Sequence, residues 1–291
     1  MGHHHPEQPA RLQAISDRLI ASGLDMVLRH VEAPAATDQQ LQAVHERRYL
    51  DALDAQLPVK GVAWVDGDTA MNRHSLRAAR LAAGAVVRAV DLVFEGELKR
   101  AFCAVRPPGH HAERDRAMGF CFYNNIAVGA RHALDVHGVE RIAIVDFDVH
   151  HGNGTEHIVA DDSRLLFCST FQHPFYPHSG YDSAADNVLN ITLAQGDGGE
   201  AFRRAVSESW LPRLEAFRPQ LLLVSAGFDA HQADEMAGLK LVDEDYRWVT
   251  ERLCEIADRH CEGRLVSSLE GGYNLDALAR SVEAHLKAFL G

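Results

Sequence analysis

The stretch Ile142-Ala-Ile-Val-Asp-Phe-Asp-Val-His150 decides how the chain is read. It opens on an uninterrupted apolar run, as expected of a strand covered on both faces of a parallel sheet. It then alternates acid, apolar, acid, apolar, imidazole. In an extended backbone, residues two apart face the same way, so Asp146, Asp148 and His150 are predicted to share one side at the strand's end. Working outward, strand-length apolar runs lie at 101–105, 141–147, 165–169, 188–193, 221–226 and 265–269. Helical periods occupy 9–22, 38–56, 75–95, 124–136, 200–217, 243–259 and 276–290. This alternation predicts an α/β fold built from βαβ units. No linker, repeat or low-complexity tract interrupts it, so residues 1–291 read as one domain.

Composition narrows the function. The 29 basic residues against 41 acidic ones leave a formal charge of −12, which argues against a nucleic-acid-binding surface. The apolar segments at 81–94 and 221–228 are too short, or too interrupted by Arg88 and Asp91, to cross a bilayer. The opening residues lack the charged and apolar regions of a secretory signal. The 5 cysteines are an odd number without a C-x-x-C pair, so buried thiols in a reducing, cytoplasmic setting are expected.

Four of the apolar runs lead directly into polar, glycine-containing segments. These are Arg106-Pro-Pro-Gly-His-His111, Asp146-Phe-Asp-Val-His-His-Gly-Asn153, Gly227-Phe-Asp229 and Glu270-Gly-Gly-Tyr273. Ligands bind at the carboxyl ends of the strands in open parallel sheets, so one site is expected there. Asp148 and His150 alone favour a structural pair capping the sheet. With Asp229 as third ligand they form an Asp/His/Asp set that leaves a position open, as catalytic zinc requires. Ligand type does not fix the ion: Zn²⁺ ranks first and Fe²⁺ second, with Mn²⁺ and Co²⁺ also compatible.

His110 and His111 follow a rigid Pro-Pro-Gly turn, with Asp146 and Asn153 as expected orienting partners. A carboxylate favours the charged imidazole more strongly than an amide does, so the two rings should differ in basicity and hence in role. The glycines before Tyr273 let the backbone bend close to a substrate, where a phenol can donate to a developing oxyanion.

Arg106-Pro-Pro-Gly-His-His-Ala, Gly119-Phe-Cys-Phe-Tyr-Asn-Asn125, Val145-Asp-Phe-Asp-Val-His-His-Gly-Asn-Gly-Thr155, Ser225-Ala-Gly-Phe-Asp229 and Glu270-Gly-Gly-Tyr-Asn274 together resemble the zinc-dependent histone deacetylase family, in its class II-like bacterial branch. The resemblance implies the arginase/deacetylase fold, a mostly parallel eight-stranded sheet flanked by helices. It assigns Asp148, His150 and Asp229 to Zn²⁺, His110 and His111 to proton transfer with Asp146 and Asn153 behind them, and Tyr273 to the oxyanion. It implies K⁺ near Asp146, Asp148, His150 and Ser169. Gly119, Phe120, Tyr176 and Gly271 resemble the walls of a tunnel that accepts an acyl-lysine chain. Members that prefer acetylated polyamines place a glutamate where the register here puts Met236, with Glu235 beside it, and this weakens the polyamine reading. The opening His3-His-His-Pro-Glu-Gln-Pro-Ala-Arg11 resembles the family's first motif. Most members carry a strand and loop before that motif, so either the start lies further upstream or the first sheet strand is absent.

The expected activity is hydrolysis of an acetyl or short-acyl amide on lysine or another amine, with no nucleic-acid or membrane partner. Three rivals stand beside it: an acetylpolyamine or small-molecule amidohydrolase, a zinc-bound module that holds acyl-lysine without cleaving it, and an arginase-like dimanganese enzyme. The last needs more carboxylates than the sequence supplies.

Overall fold

The structure, a computed structural model, describes residues 5–291. The expectation for His3 and His4 falls outside the described residues. The chain runs through α1 (Ala10–Ala21), α2 (Asp38–Gln42), α3 (Arg47–Gln56), β1 (Ala63–Trp64), β2 (Ala70–Met71), α4 (Ser75–Phe94), β3 (Arg100–Cys103), α5 (Asn125–His137), β4 (Ile142–Asp146) and α6 (Asn153–Val159). It continues through β5 (Leu165–Gln172), β6 (Val188–Leu193), α7 (Gly199–Ala205), α8 (Leu211–Phe217), β7 (Leu221–Ala226), α9 (Asp243–His260), β8 (Leu265–Leu269) and α10 (Leu275–Leu290). A π-helical turn, Val206–Trp210, joins α7 to α8, so the predicted 200–217 helix is nearly continuous.

Each predicted apolar run becomes a strand of one sheet, in the order β3-β8-β7-β4-β5-β6, with every neighbouring pair parallel. Its period-2 residues serve two cores. Ile142 and Ile144 of β4 enter the layer containing α4 and α5, while Ala143 and Val145 enter the layer containing α9 and α10. Strands covered on both faces need apolar residues at every position, and for that reason the runs are continuous. The expectation of eight strands is corrected: among the described residues the main sheet has 6, all parallel, and β1 and β2 form a separate antiparallel ladder. Each strand of that ladder is only 2 residues long.

The predicted 38–56 helix is broken. Thr37 and Gln40 close a capping box on α2, and the chain then turns at 43–46 to bury His45. The N–H of Asn124 donates to His45 Nε2 at 2.9 Å, which leaves the proton on Nδ1 to donate to the Glu113 carbonyl at 2.8 Å. His45 therefore ties α5 to the segment that follows His110 and His111. No Pro or Gly marks the break, because a distant partner causes it.

Candidate active site

Strand β4 ends at Asp146, and a ladder of carboxylate–amide bonds turns the chain beyond it. Asp146 Oδ1 accepts the N–H of Asp148 at 3.0 Å, and Asp148 Oδ1 accepts that of His150 at 2.9 Å. The side chains at 146, 148 and 150 do converge, but through this bend and not through the extended backbone expected from the sequence.

Asp148, His150 and Asp229 are buried, and their ligand atoms lie within 4.8 Å of one another. His150 Nδ1 stands 3.1 Å from Asp148 Oδ1 and 3.3 Å from Asp229 Oδ2. Asp229 Oδ1 accepts the Val149 N–H at 2.9 Å, whereas Oδ2 is buried without a donor. Burial, and after it the Asp148 carboxylate, pushes Asp229 up to about 6. Two crowded buried carboxylates, one with an orphaned oxygen, fit a divalent cation among them. The backbone closes tightly around this cluster: a Cβ on Gly227 would meet Asp148 Oδ2 at 2.0 Å, and one on Gly271 would meet Asp229 Oδ2 at 2.1 Å. Ser169 Oγ, beside Asp146 in the sheet register, is likewise buried without a partner and fits the expected monovalent cation.

The two histidines stand side by side, ring centroids 4.0 Å apart. His110 Nδ1 lies 3.0 Å from Asp146 Oδ2. Burial alone would strip its proton, but the Asp148 and Asp146 carboxylates outweigh burial and hold His110 at about 10. His111 is driven well below its ordinary value, first by burial and then by the positive charges of His110 and His150. The expected divergence is present, and its cause includes each ring's effect on the other. Asn153 fixes the His111 tautomer: its Nδ2 donates to Glu113 Oε1 at 2.6 Å, which turns Oδ1 toward His111 Nδ1 at 2.7 Å. Because a carboxylate only accepts, this orientation puts the proton of His111 on Nδ1 and leaves a lone pair on Nε2.

Desolvation pushes the Tyr273 phenol well above its ordinary range, against the pull of the Arg11 guanidinium 4.9 Å from the ring, so it stays an O–H donor. Phe120 meets Tyr273 edge-on at 5.9 Å, and Tyr176 meets His111 edge-on at 5.3 Å. Gly119 lies against the His111 ring, where a Cβ would come within 2.3 Å of Cδ2. Phe120 has φ 69, a left-handed conformation that its N–H bond to Thr69 Oγ1 at 3.0 Å helps hold. Met236 is half-buried and Glu235 exposed.

Sequence reasoning missed four supports. Glu270 is fully buried and accepts the N–H groups of Gly109 at 2.6 Å and His110 at 3.1 Å, anchoring the histidine turn. Asp234 accepts the N–H groups of Tyr273 at 2.6 Å, Asn274 at 2.9 Å and Met236 at 3.0 Å. Buried Arg11 donates to the carbonyls of Gly272 and Glu270. Phe175 stacks on His150, centroids 5.3 Å apart. Glu270 and Arg11 stood inside quoted motifs, but Asp234 and Phe175 carry no local signal.

The chain is similar to known proteins along nearly its whole length. A histone deacetylase domain model matches residues 5–289. An uncharacterised Synechocystis protein is 43% identical, over 99% of this chain and 95% of its own length. A histone deacetylase-like amidohydrolase of Pseudomonas aeruginosa is 40% identical, over 93% of this chain and 73% of its own. The crystal structure of the HDA15 HD domain superposes with a TM-score of 0.93 at 36% identity, covering 100% of this chain and 83% of that one.

Proposed function

This chain belongs to the histone deacetylase family, and from that premise we propose that it is a zinc-dependent amidohydrolase that removes acetyl or short acyl groups from acyl-lysine or a related acylated amine. The observation that carries the reading is the adjacent His110 and His111 pair, oriented by Asp146 and Asn153, beside the buried Asp148–His150–Asp229 cluster. Those three residues would hold the ion, which would polarise the acyl carbonyl and acidify an attacking water. His111 Nε2 accepts the proton of that water and returns it to the leaving amine nitrogen, while Asn153 keeps Nδ1–H in place. His110, held by Asp146, keeps its proton and offsets the negative charge that develops as the carbonyl is attacked. The Tyr273 hydroxyl donates to the same oxyanion.

Gly119, Phe120, Tyr176 and Gly271 would wall the approach for an alkyl chain, with Met236 toward its rim. K⁺ would sit by Asp146, Asp148, His150 and Ser169, where the partnerless Ser169 hydroxyl supports it. All five cysteines are free and buried, which fits work in a reducing compartment such as the cytoplasm. No helix among the described residues is long and apolar enough to cross a membrane.

The test is turnover of acetyl-lysine peptides, N-acetylated polyamines and short-chain esters by zinc-loaded, chelator-treated and Tyr273→Phe proteins. Zinc-dependent release from acetyl-lysine peptides supports the proposal, and release from polyamines alone moves it to the small-molecule class. Binding without turnover at full zinc occupancy would leave a non-catalytic module in its place.

A further inference from the structure

We propose that Asp91, His132 and His137 form a second site for a divalent transition metal, remote from the Asp148–His150–Asp229 cluster. Asp91 lies on α4, His132 lies on α5, and His137 is the last residue of α5. Helix α5 begins beside the candidate active site, where the Asn124 side chain bonds the Ala112 carbonyl and Thr155. It then runs back to the opposite edge of the sheet, where β4 starts at Ile142. The proposed site therefore lies at the end where the strands begin.

The Nε2 atoms of His132 and His137 stand 2.7 and 2.8 Å from a single oxygen, Asp91 Oδ1. An ordinary histidine–aspartate ion pair needs only one ring. Two imidazole nitrogens aimed at one carboxylate oxygen make a two-histidine, one-carboxylate donor set. A tetrahedral ion bonded to such a set at about 2.0–2.1 Å places its ligand atoms roughly 3.3 Å apart. Rotation of the Asp91 carboxylate supplies the few tenths of an ångström by which these spacings must open. Two imidazoles with one carboxylate suit Zn²⁺, Co²⁺, Ni²⁺ or Cu²⁺, not the all-oxygen ions Mg²⁺ and Ca²⁺.

The surroundings favour a held ion. The His132, His137 and Asp91 side chains are 9%, 18% and 26% exposed, so an ion can enter from solvent and keep a water in its fourth position. His137 stacks flat on Phe94, centroids 4.4 Å apart, and the Arg264 guanidinium covers Phe94 at 4.8 Å. The ring orientation is thereby set in advance. The nearest cations on the same helices have carboxylate partners of their own, Arg88 with Glu95 at 3.2 Å and Arg131 with Asp135 at 3.0 Å. A bound ion would cross-link α4 and α5, the two helices that carry much of one core layer.

The test counts metal and needs no activity. The whole chain is equilibrated with Zn²⁺, freed of unbound metal by gel filtration, and its zinc measured by elemental mass spectrometry. Three variants are measured beside it: H132N/H137N, D91N and D229N. D91N keeps the size of the side chain and its capacity to accept from both rings, so it decides the case if the double histidine change loosens α5. We expect H132N/H137N and D91N each to hold one ion fewer than the parent, and D229N to lose a different ion, with the losses additive when D91N and D229N are combined. Retention of the parental complement by D91N or by H132N/H137N would overturn the site. So would loss of the same single ion in D91N and D229N, since that would mean one site and not two.

Discussion

His45 makes the folded state acid-labile, and the size of the effect follows from its burial. The ring is 2% exposed, and burial pulls it from 6.5 down to about 4 against two backbone bonds that favour the charged form. Between those values the unfolded chain binds a proton that the folded chain refuses, so stability falls as pH drops below about 6.5 and levels off below about 4. With about 1.4 kcal/mol per unit, the gap amounts to about 3 kcal/mol across the window, with about 1.4 kcal/mol already lost by pH 5.5. The assay is urea unfolding of metal-depleted protein at several pH values between 7.5 and 4.5, for the parent and for His45→Gln. The glutamine amide can donate to the Glu113 carbonyl and accept from Asn124 N–H, as His45 does, but it does not titrate. The variant should lose less stability on acidification, by about 2.5 kcal/mol at pH 4.5, and all other titrating groups cancel in the difference. Parallel curves for the two proteins would refute the assignment of this acid sensitivity to His45.

Three further outcomes follow from the site. Tyr273→Phe should bind zinc and unfold like the parent but turn over about 10² to 10³ more slowly, as loss of one oxyanion donor typically costs; steady-state kinetics beside zinc counting will show it. Asp234→Asn removes the charge that holds the Tyr273 and Asn274 amides at 2.6 and 2.9 Å, so kcat should fall roughly tenfold or more with KM little changed, because a misplaced hydroxyl is felt in the transition state. Gly271→Ala puts a Cβ 2.1 Å from Asp229 Oδ2, and equilibrium dialysis should show a weakened metal site even where circular dichroism reports a native fold.

The contrast between what sequence disclosed and what it hid has one physical root. The sheet was legible because a strand buried on both faces must be apolar at consecutive positions, and all six runs became strands, three with an end displaced by three residues or fewer and 188–193, 221–226 and 265–269 unchanged. The metal-ligand candidates were legible because the strand ends place them, so that spacing along the chain translates into position. Residues recruited across the fold leave no such trace. His45 breaks a helix to reach residues 68 and 79 positions away, and Glu113 is an exposed-looking acid whose bond to Asn153 decides which nitrogen of His111 is free. That last bond shows why the supporting residues matter to chemistry and not only to stability. If Asn153 were turned end for end, its Nδ2 would face His111 Nδ1, the tautomer would reverse, and Nε2 would carry the proton it is required to accept. Glu113→Gln removes the acceptor-only constraint that prevents the flip, so the variant should hold metal normally yet lose turnover in proportion to the fraction of the wrong tautomer. Nitrogen-15 shifts of the His111 ring would report that fraction directly, and an unchanged tautomer with unchanged kcat would show that Glu113 does not set it.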